Sequence, residues 1–408
     1  MIALSILRIA FDSLKANKLR SGLTLLGVII GVMSVMTIIS ALEGMMGAIE
    51  SRLQMLGPTT FVAARMGGLI TSEEQFFEML KRKRFHLRYK ESIAEGCSYC
   101  EKISGRVFAR ADIKYRNNSM RNAYVLGTDA EYIDIVDLEV SQGRYFSYEE
   151  DYNHQKVAFI GDLVKEELYP GLDPIGREIS IRGQKHAIVG VAKKMGSFFG
   201  ANTDNFVVIP MASYFKQFGD PGRRDLSFFI KAVDIEHMPE AKDQIRMVLR
   251  TERHVPYDKP DDFEVLTADN VLQAMNSFTR ILRLGLVGIS SISLVVGGIV
   301  VMNIMMVSVT ERTREIGIRK SLGAKRKHIL VQFLLEALMT TITGGIIGIV
   351  IGFLIAKWLM GLMDMEVTPS TLAIMSGFSV STGIGLIFGI YPAMKAARLD
   401  PIKALSYE

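Results

Sequence analysis

The chain has 408 residues, of which 49% are apolar and 22% are charged, and its formal net charge is +5. The mean hydropathy is positive, which is unusual for a water-soluble protein. Two cysteines cannot build a disulfide framework, and the six histidines are scattered without metal-ligand spacing. In a chain with long apolar runs, a modest basic excess reflects the placement of loops and does not indicate nucleic-acid binding.

The N-terminal segment combines an amphipathic stretch with the first long apolar run. In residues 1–20 the apolar side chains fall near one face while Arg8 and Lys15 lie elsewhere, which predicts a helix lying in the membrane interface. The following run, from Ser21 to about Leu42, is longer than the apolar core of a signal peptide. It therefore predicts an uncleaved membrane span.

The next segment, residues 48–279, has the pattern of a folded domain of strands and helices. Runs rich in β-branched and aromatic residues recur through it, and the turn residues at 116–119 and 182–184 predict two β-hairpins. A helix is expected from Ser72 to about Arg84. The basic run at 81–90 predicts a solvated helix face, with a site for an anionic lipid or substrate as the alternative.

Cys97 and Cys100 have the spacing of a redox or metal motif, but they form a single pair. One pair cannot complete a four-ligand zinc site. A local disulfide and free thiols are both left open by the sequence, and no redox function is expected.

Three further apolar runs, at 284–309, 329–356 and 371–394, are long enough to span the membrane, because about 20 helical residues cross about 30 Å of hydrocarbon. Small residues at four-residue spacing let such helices approach closely. The glycines expected to pack in this way are Gly27, Gly31, Gly344, Gly348 and Gly352, with Gly385 and Gly389 in the last run. Glu336 is an intramembrane acid, for which a structural role is favoured over a functional one: it either snorkels to the interface or pairs with a basic residue, such as Lys325 or a lysine of another helix.

The distribution of basic residues predicts the orientation. Lys and Arg are abundant near both termini and between the second and third apolar runs, whereas the loop at 359–370 has none. Short loops rich in Lys and Arg stay in the cytoplasm, so both termini are expected there. The predicted fold is a membrane α-helical protein with four transmembrane helices and a large mixed α/β extracytoplasmic domain between helices one and two.

The charged segment at 310–328 lies between two predicted spans. A helix is expected from Thr310 to Leu322, with Glu315 and Arg319 at the favourable i,i+4 spacing and Gly323 as its C-terminal cap. The residues alone leave two interpretations open. The segment either transmits motion from a cytosolic partner or is an ordinary loop whose charges only set the topology.

The sequence contains no phosphate-binding loop, nucleophile elbow, zinc-protease helix or dinucleotide-binding fingerprint. We therefore expect the chain to be no enzyme, with no catalytic residue, cofactor-binding site or metal site. Any ATP hydrolysis is expected to come from another chain. No nucleic-acid partner is expected.

Several motifs, in order along nearly the whole chain, resemble one family. The stretch "VMNIMMVSVTERTREIGIRKSLGAKRKHIL" is similar to the second span and cytoplasmic hairpin of ABC transporter permeases of the macrolide-exporter (MacB-like) class, also called type VII or mechanotransmission transporters, which have an FtsX-like permease domain. "GIYPAMKAARLDPIKAL" resembles the C-terminal signature of that family, and "VAFIGDLVKEELYPGLDPIGREISIRG" resembles its periplasmic core domain.

The resemblance implies a permease subunit of the bacterial inner membrane that couples ATP hydrolysis by a separate ABC ATPase subunit to extracytoplasmic motion and exports an amphiphile, drug or peptide. It implies a second permease copy in a homodimer, with a periplasmic adaptor and an outer-membrane channel as further partners. The alternatives are lipoprotein extraction, regulation of a cell-wall hydrolase and antibiotic sensing. The residues it implies for ATPase coupling are Glu311, Arg312, Arg314, Glu315, Arg319 and Lys320.

The expected organisation follows from these runs. It is an amphipathic helix at 1–20, a first span with a stalk at 21–47, the extracytoplasmic domain at 48–279, a second span at 280–309, the coupling segment at 310–328, a third span at 329–358, a short outer loop at 359–370, a fourth span at 371–394 and a cytoplasmic tail at 395–408.

Overall fold

The computed structural model describes residues 18–54, 56–67, 72–198, 201–219, 225–363, 365 and 367–405. The chain divides into two compact units: unit one is Met1–Met46 with Phe278–Glu408, and unit two is Gly47–Ser277. Residues 1–17 of the predicted interfacial helix lie outside the described residues.

The helices are α1 (Lys18–Gln54), α2 (Glu73–Lys81), α3 (Arg88–Gly96), α4 (Tyr132–Ile135), α5 (Tyr148–Tyr152), α6 (Asp162–Leu168), α7 (Met211–Phe218), α8 (Met238–Glu252), α9 (Ala268–Glu311), α10 (Thr313–Ser321), α11 (Arg326–Gly361), α12 (Thr371–Arg398) and α13 (Pro401–Leu405). The strands are β1 (Thr60–Ala64), β2 (Cys100–Tyr115), β3 (Asn118–Thr128), β4 (Val140–Gly143), β5 (Val157–Ile160), β6 (Glu178–Ile181), β7 (Gln184–Ala192), β8 (Ser197–Phe198), β9 (Ala201–Asn202), β10 (Phe206–Pro210), β11 (Ser227–Ala232) and β12 (Glu264–Thr267).

Unit two is built on one mixed sheet, which has ten strands within the described residues. Its order is β12-β1-β11-β2-β3-β10-β5-β7-β4, and β6 pairs with both β2 and β7. The pairs β3–β10 and β5–β7 are parallel, and the other pairs are antiparallel. The predicted mixture of strands and helices is confirmed.

Side chains alternate across this sheet, as the pleat requires. On β3, Val125 is buried in the main core with residues of α3, α6, α7 and α8, whereas Tyr124 and Leu126 pack in a second cluster with Phe206 and Val208. One sheet face is therefore covered by helices, and the opposite face carries a separate apolar cluster.

Both predicted hairpins are confirmed. The β2–β3 turn places Arg116 at φ 50°, and the β6–β7 turn places Arg182 and Gly183 at φ 47° and 87°. Two successive residues in the left-handed region match the right-handed twist of the flanking strands. Glycine adopts this conformation without strain, which explains Gly183 at the second turn.

The interpretation of the basic run at 81–90 as one solvated helix face is wrong. Helix α2 ends at Lys81, α3 begins at Arg88, and Phe85 between them is fully buried. Most of the basic side chains near the run have acidic partners within unit two. The ion pairs are Arg82–Glu264, Arg84–Asp225, Arg88–Glu252, Lys90–Asp129 and Lys90–Glu131. These pairs also leave little support for the alternative of an anion site.

Four helices of the described chain are long and apolar enough to cross a membrane: α1, α9, α11 and α12. Unit one contains α11, α12 and most of α1 and α9. Helix α9 begins at Ala268, before the predicted second span, and α12 continues to Arg398, past the predicted end of the fourth. Within the segment predicted as a tail, α13 forms a further helical turn that packs near α10.

The glycines singled out from the sequence lie at helix contacts. A Cβ placed on Gly27 would be 3.0 Å from Gly297 Cα, and one on Gly31 would meet the Leu294 side chain. On α11, a Cβ on Gly352 would be 2.7 Å from the Met33 carbonyl oxygen. The corresponding contacts of Gly344 and Gly348 are also with α1 residues. Each side chain larger than hydrogen would push these helices apart.

Candidate functional site

The charged segment forms a compact helix between two long ones. Helix α9 ends at Glu311, and Arg312 leaves the helical conformation with φ −99° and ψ 13°. The Thr313 hydroxyl donates to the Val309 carbonyl at 3.0 Å and to the Thr310 carbonyl at 2.8 Å, which stabilises the bend. At the other end, Gly323 has φ 93°, as expected for a residue just beyond a helix C-terminus.

The inner face of α10 is fixed by apolar packing. Ile316 is 2% exposed and belongs to one cluster with Val309, Ile329 and Phe333. Burying an isoleucine side chain contributes about 1.5–3 kcal/mol. Helix α10 is therefore packed against α9 and α11 and is not a loosely held loop.

Arg312, in the bend, pairs with the intramembrane acid. Its Nη1 lies 3.4 Å from both carboxylate oxygens of Glu336, and the two side chains are 30% and 15% exposed. The expected structural role of Glu336 thus has a defined partner. The suggestion of Lys325 as that partner is wrong, because the bend brings Arg312 to α11 instead.

Two more of the six candidate residues are turned toward neighbouring elements. Arg319 pairs with Glu315, as the i,i+4 spacing predicts, and its other nitrogen donates to Gln332 Oε1 at 2.8 Å. Lys320 Nζ donates to the Leu399 carbonyl oxygen at 2.6 Å. Partial desolvation, with Arg326 as a second cause, lowers the pKa of Lys320. These bonds tie α10 to α11 and to the segment that leads into α13.

The outer face of α10 and of its flanking residues differs from the inner face. Arg314 and Glu315 on α10 are exposed, as is Glu311 at the end of α9. Two apolar side chains four residues apart are also exposed: Ile318 by 45%, and Leu322, the residue just after α10, by 84%. We call Ile318 and Leu322 the apolar ridge. Sequence reasoning missed the ridge, although apolar residues four apart within a charged helix are a detectable signal. The structure thus separates the six candidates into an inward group (Arg312, Arg319, Lys320) and an outward group.

Unit two offers a different kind of site. A cavity of about 740 Å³ lies over the second apolar cluster of the sheet, and its walls include Tyr124, Leu126, Phe206 and Val208. Beside it, Asp204 accepts hydrogen bonds from the backbone N–H groups of Met195 and Gly196, both at 2.8 Å, and so holds the base of the β8–β9 hairpin. Mostly apolar walls with a few polar groups are typical of ligand pockets.

Lys193 and Lys194 lie at the edge of this cavity and pair with Glu139 and Glu166. Elsewhere in unit two, Cys97 and Cys100 form a disulfide between the end of α3 and the start of β2. Of the two alternatives left open by the sequence, the local disulfide is therefore the one present. Within the described residues, no group of three or more His, Cys, Asp or Glu side chains could hold a metal ion.

Comparison with known proteins covers both units. Residues 21–248 match the family described as the MacB-like periplasmic core domain, and residues 287–401 match the FtsX-like permease C-terminal family. The chain is 34% identical over 409 residues to the macrolide export ATP-binding/permease protein MacB of Bdellovibrio bacteriovorus, with 98% of this chain and 61% of that protein covered. It thus spans less than two thirds of that relative.

A relative of matching length is the uncharacterized ABC transporter permease YknZ of Bacillus subtilis, 33% identical over 410 residues with 100% of both chains covered. The solved periplasmic region of MacB from Actinobacillus actinomycetemcomitans aligns with 56% of this chain and 97% of its own, at 15% identity and a TM-score of 0.46. The chain belongs to the family of ABC transporter permeases that combine a MacB-like periplasmic core domain with an FtsX-like permease domain.

Proposed function

We propose that the chain is the permease subunit of a mechanotransmission transporter, in which ATP hydrolysis by a separate subunit drives motion of the extracytoplasmic domain. Membership of the family implies an ABC ATPase partner and a multi-pass position in the bacterial inner membrane. The proposal adds that both termini are cytoplasmic, that two permease copies form a homodimer, and that a periplasmic adaptor and an outer-membrane channel complete the assembly.

One observation carries the coupling role: α10 has a fixed inner face and an exposed outer face with an apolar ridge. A loop whose only role is to set the topology needs basic residues, but it has no reason to expose an apolar side chain such as Leu322 to water. Covering Ile318 and Leu322 with a partner surface would contribute about 1.5–3 kcal/mol for each side chain. Because Ile316, Arg312 and Arg319 hold the helix against α9 and α11, a push on the ridge would move those long helices with it.

The cavity of unit two supports export of an amphiphile. Its volume lies within the range of about 300–1,000 Å³ that is usual for small-ligand sites. The apolar walls suit an apolar group, and the Lys–Glu pairs at the edge suit a polar end. Lipoprotein extraction and regulation without transport are the alternative functions. An assay of amphiphile transport by the assembled transporter distinguishes them from export.

The experiment that tests coupling compares Leu322→Asp with Ile235→Asp in the full chain, purified from the native membrane with its bound ATPase. Both residues are exposed apolar side chains, but Ile235 lies in unit two. Leu322→Asp should reduce the co-purified ATPase by about tenfold or more, which corresponds to the loss of about 1.4 kcal/mol of binding free energy, while Ile235→Asp should retain it. Normal ATPase retention and substrate-stimulated hydrolysis by Leu322→Asp would contradict the proposal.

The orientation is tested by labelling single introduced cysteines. Asn118→Cys, at the start of β3 beside the β2–β3 turn, should react with an impermeant reagent from outside, and Lys325→Cys should react only after the membrane is opened. The native pair Cys97–Cys100 gives little background because both thiols are in a disulfide. Reaction of Asn118→Cys from the cytoplasmic side alone would reverse the assigned topology.

A further inference from the structure

A second cavity lies at the end of unit one where α9 and α12 finish. Its volume is about 700 Å³, and its walls come from the last turns of these two helices, from the start of α10, and from the segment that leads into α13 together with α13 itself. The wall residues that matter here are Tyr391, Met394, Lys395, Arg398, Leu399 and Lys403. The cavity thus combines apolar and cationic walls, and it belongs to neither the outer face of α10 nor unit two.

Two cations of this cavity, Lys395 and Arg398, are available to a ligand. Lys395 and Arg398 are exposed, lie three residues apart on α12, and have no hydrogen-bond or ion-pair partner among the residues that the structure describes. The nearest acid in the wall, Asp400, uses one carboxylate oxygen to accept the Ile402 backbone N–H at 2.9 Å. Lys395 and Arg398 therefore face one carboxylate that is partly engaged.

The depth of the cavity relative to a bilayer follows from the length of α12. Its charge-free part, 371–394, has 24 residues and is about 36 Å long at about 1.5 Å per residue, which exceeds the roughly 30 Å hydrocarbon core. Lys395 and Arg398, the next charges on the helix, must then lie at the level of the lipid headgroups. Tyr391, which is exposed one turn earlier, has the amphipathic ring that is enriched at this level.

We propose that this cavity binds the phosphate of an anionic phospholipid between Lys395 and Arg398. Basic pockets between membrane helices attract anionic headgroups, and each Lys or Arg near the surface contributes about 1 kcal/mol. The apolar wall at Tyr391 and Met394 continues toward the hydrocarbon core and accommodates the first carbons of the acyl chains. A carboxylate of a protein partner would use the cations but not this wall. The inference does not rest on the proposed function.

The site lies against the α10 region. Lys320, which contacts the Leu399 carbonyl oxygen, connects the wall of the cavity with α10. A phosphate held there would lie near Lys320, which already feels the charge of Asp400. Because the site exists only in the folded protein, bound lipid is expected to stabilise the folded permease.

The test uses the full chain in nanodiscs of phosphatidylcholine with a fixed minority of phosphatidylglycerol, followed by native mass spectrometry of the released protein. Lys395→Gln/Arg398→Gln is compared with Lys325→Gln/Lys327→Gln, which removes the same charge from exposed positions outside the cavity. The first pair should lower phosphatidylglycerol retention by about tenfold to thirtyfold, as expected from two contacts of about 1 kcal/mol each. The second pair should retain lipid as the wild type does.

Met394→Trp provides a second variant that keeps both cations and fills the apolar wall; it should also lower retention, with a thermal unfolding profile that shows a folded protein. Equal losses in the two double variants would overturn the proposal, because the attraction would then be diffuse. Displacement of the lipid by inorganic phosphate would overturn it in favour of a free-phosphate site. Displacement by the co-purifying ATPase, with loss of that ATPase in Lys395→Gln/Arg398→Gln, would assign the cavity to the protein partner and overturn it as well.

Discussion

Arg312 and Glu336 join the bend before α10 to the adjacent membrane helix: one guanidinium nitrogen lies 3.4 Å from each carboxylate oxygen. Arg312 is the first residue after α9 and precedes α10, so the pair fixes the bend between the two helices. An ion pair at this position explains why the apolar run of α11 tolerates an acid.

The Arg312–Glu336 pair predicts that removing one charge destabilises the protein more than removing both. Arg312→Met leaves Glu336 without its partner and should lower the free energy of unfolding by about 1–3 kcal/mol, the cost of an unsatisfied partly buried group. Arg312→Met/Glu336→Leu should recover most of that loss, because both charges are removed together. Thermal unfolding of the wild type, Arg312→Met, Glu336→Leu and the double variant in one detergent forms the double-mutant cycle. Equal instability of the single and double variants would show that Glu336 does not depend on Arg312.

The division of α10 into two faces predicts that its arginines behave differently. Arg314→Glu changes an outward side chain and should leave the unfolding temperature unchanged while it reduces the co-purified ATPase. Arg319→Glu also breaks the bonds to Glu315 and Gln332, so it should lower stability by up to about 1 kcal/mol as well. Lys327→Glu, an equal charge reversal at an exposed position of α11, is the control. ATPase retention by Arg314→Glu equal to that of Lys327→Glu would remove Arg314 from the interface.

The sequence predicted the parts of this fold that depend on local pattern. Apolar run length located α1, α9, α11 and α12, and turn residues located the β2–β3 and β6–β7 hairpins. Long-range pairing has no comparable signal in one sequence. The parallel pairs β3–β10 and β5–β7, for example, join strands far apart in the chain.

The candidate site was predicted in position but not in orientation. The charge run identified α10, yet Glu311, Arg314 and Glu315 face outward while Arg312, Arg319 and Lys320 face inward. That division depends on where α9, α11 and the segment after α12 approach α10. Residue spacing within one helix does not predict such tertiary contacts. The interpretation of the basic run at 81–90 was wrong for a similar reason. The acids that pair with its side chains are far away in the sequence, so the run alone does not reveal them.

The contact between α1 and α11 predicts a position-specific effect of adding one methyl group. Gly352→Ala would place Cβ 2.7 Å from the Met33 carbonyl oxygen and 2.9 Å from Met36 Cβ. Because backbone cannot move aside as a side-chain tip can, the helices must separate, at about 1–3 kcal/mol. Gly383→Ala on α12 is the matched control, since nothing lies within 4 Å of its added Cβ. Similar unfolding temperatures for Gly352→Ala and the wild type would argue against this close approach.

The acidic group around Asp151 in unit two predicts a pH-dependent stability. Burial, and secondarily the charge of Asp129, raises the pKa of Asp151 to about 6 from an ordinary value of 3.8. Its Oδ2 accepts the Ala130 backbone N–H at 3.0 Å. The nearest cation, Lys90, is engaged by Asp129 at 2.9 Å and by Glu131 at 3.1 Å, so it offsets the raised pKa only in part.

Because the folded pKa lies above the unfolded one, the folded state binds the proton more tightly, and the stability present below about pH 4 is lost as the pH rises to about 6. The variant Asp151→Asn tests this effect. Its side-chain amide oxygen can still accept the Ala130 backbone N–H, but the side chain cannot ionise. Its free energy of unfolding should exceed that of the wild type by about 1–2 kcal/mol at neutral pH, after allowance for solvent screening, and the difference should disappear below about pH 4. Glu149→Gln, an exposed acid in the same helix, should show no such trend. Chemical unfolding of the three proteins across this pH range measures the difference directly, and an Asp151→Asn advantage that stayed constant with pH would show that the carboxyl group does not titrate in the folded protein.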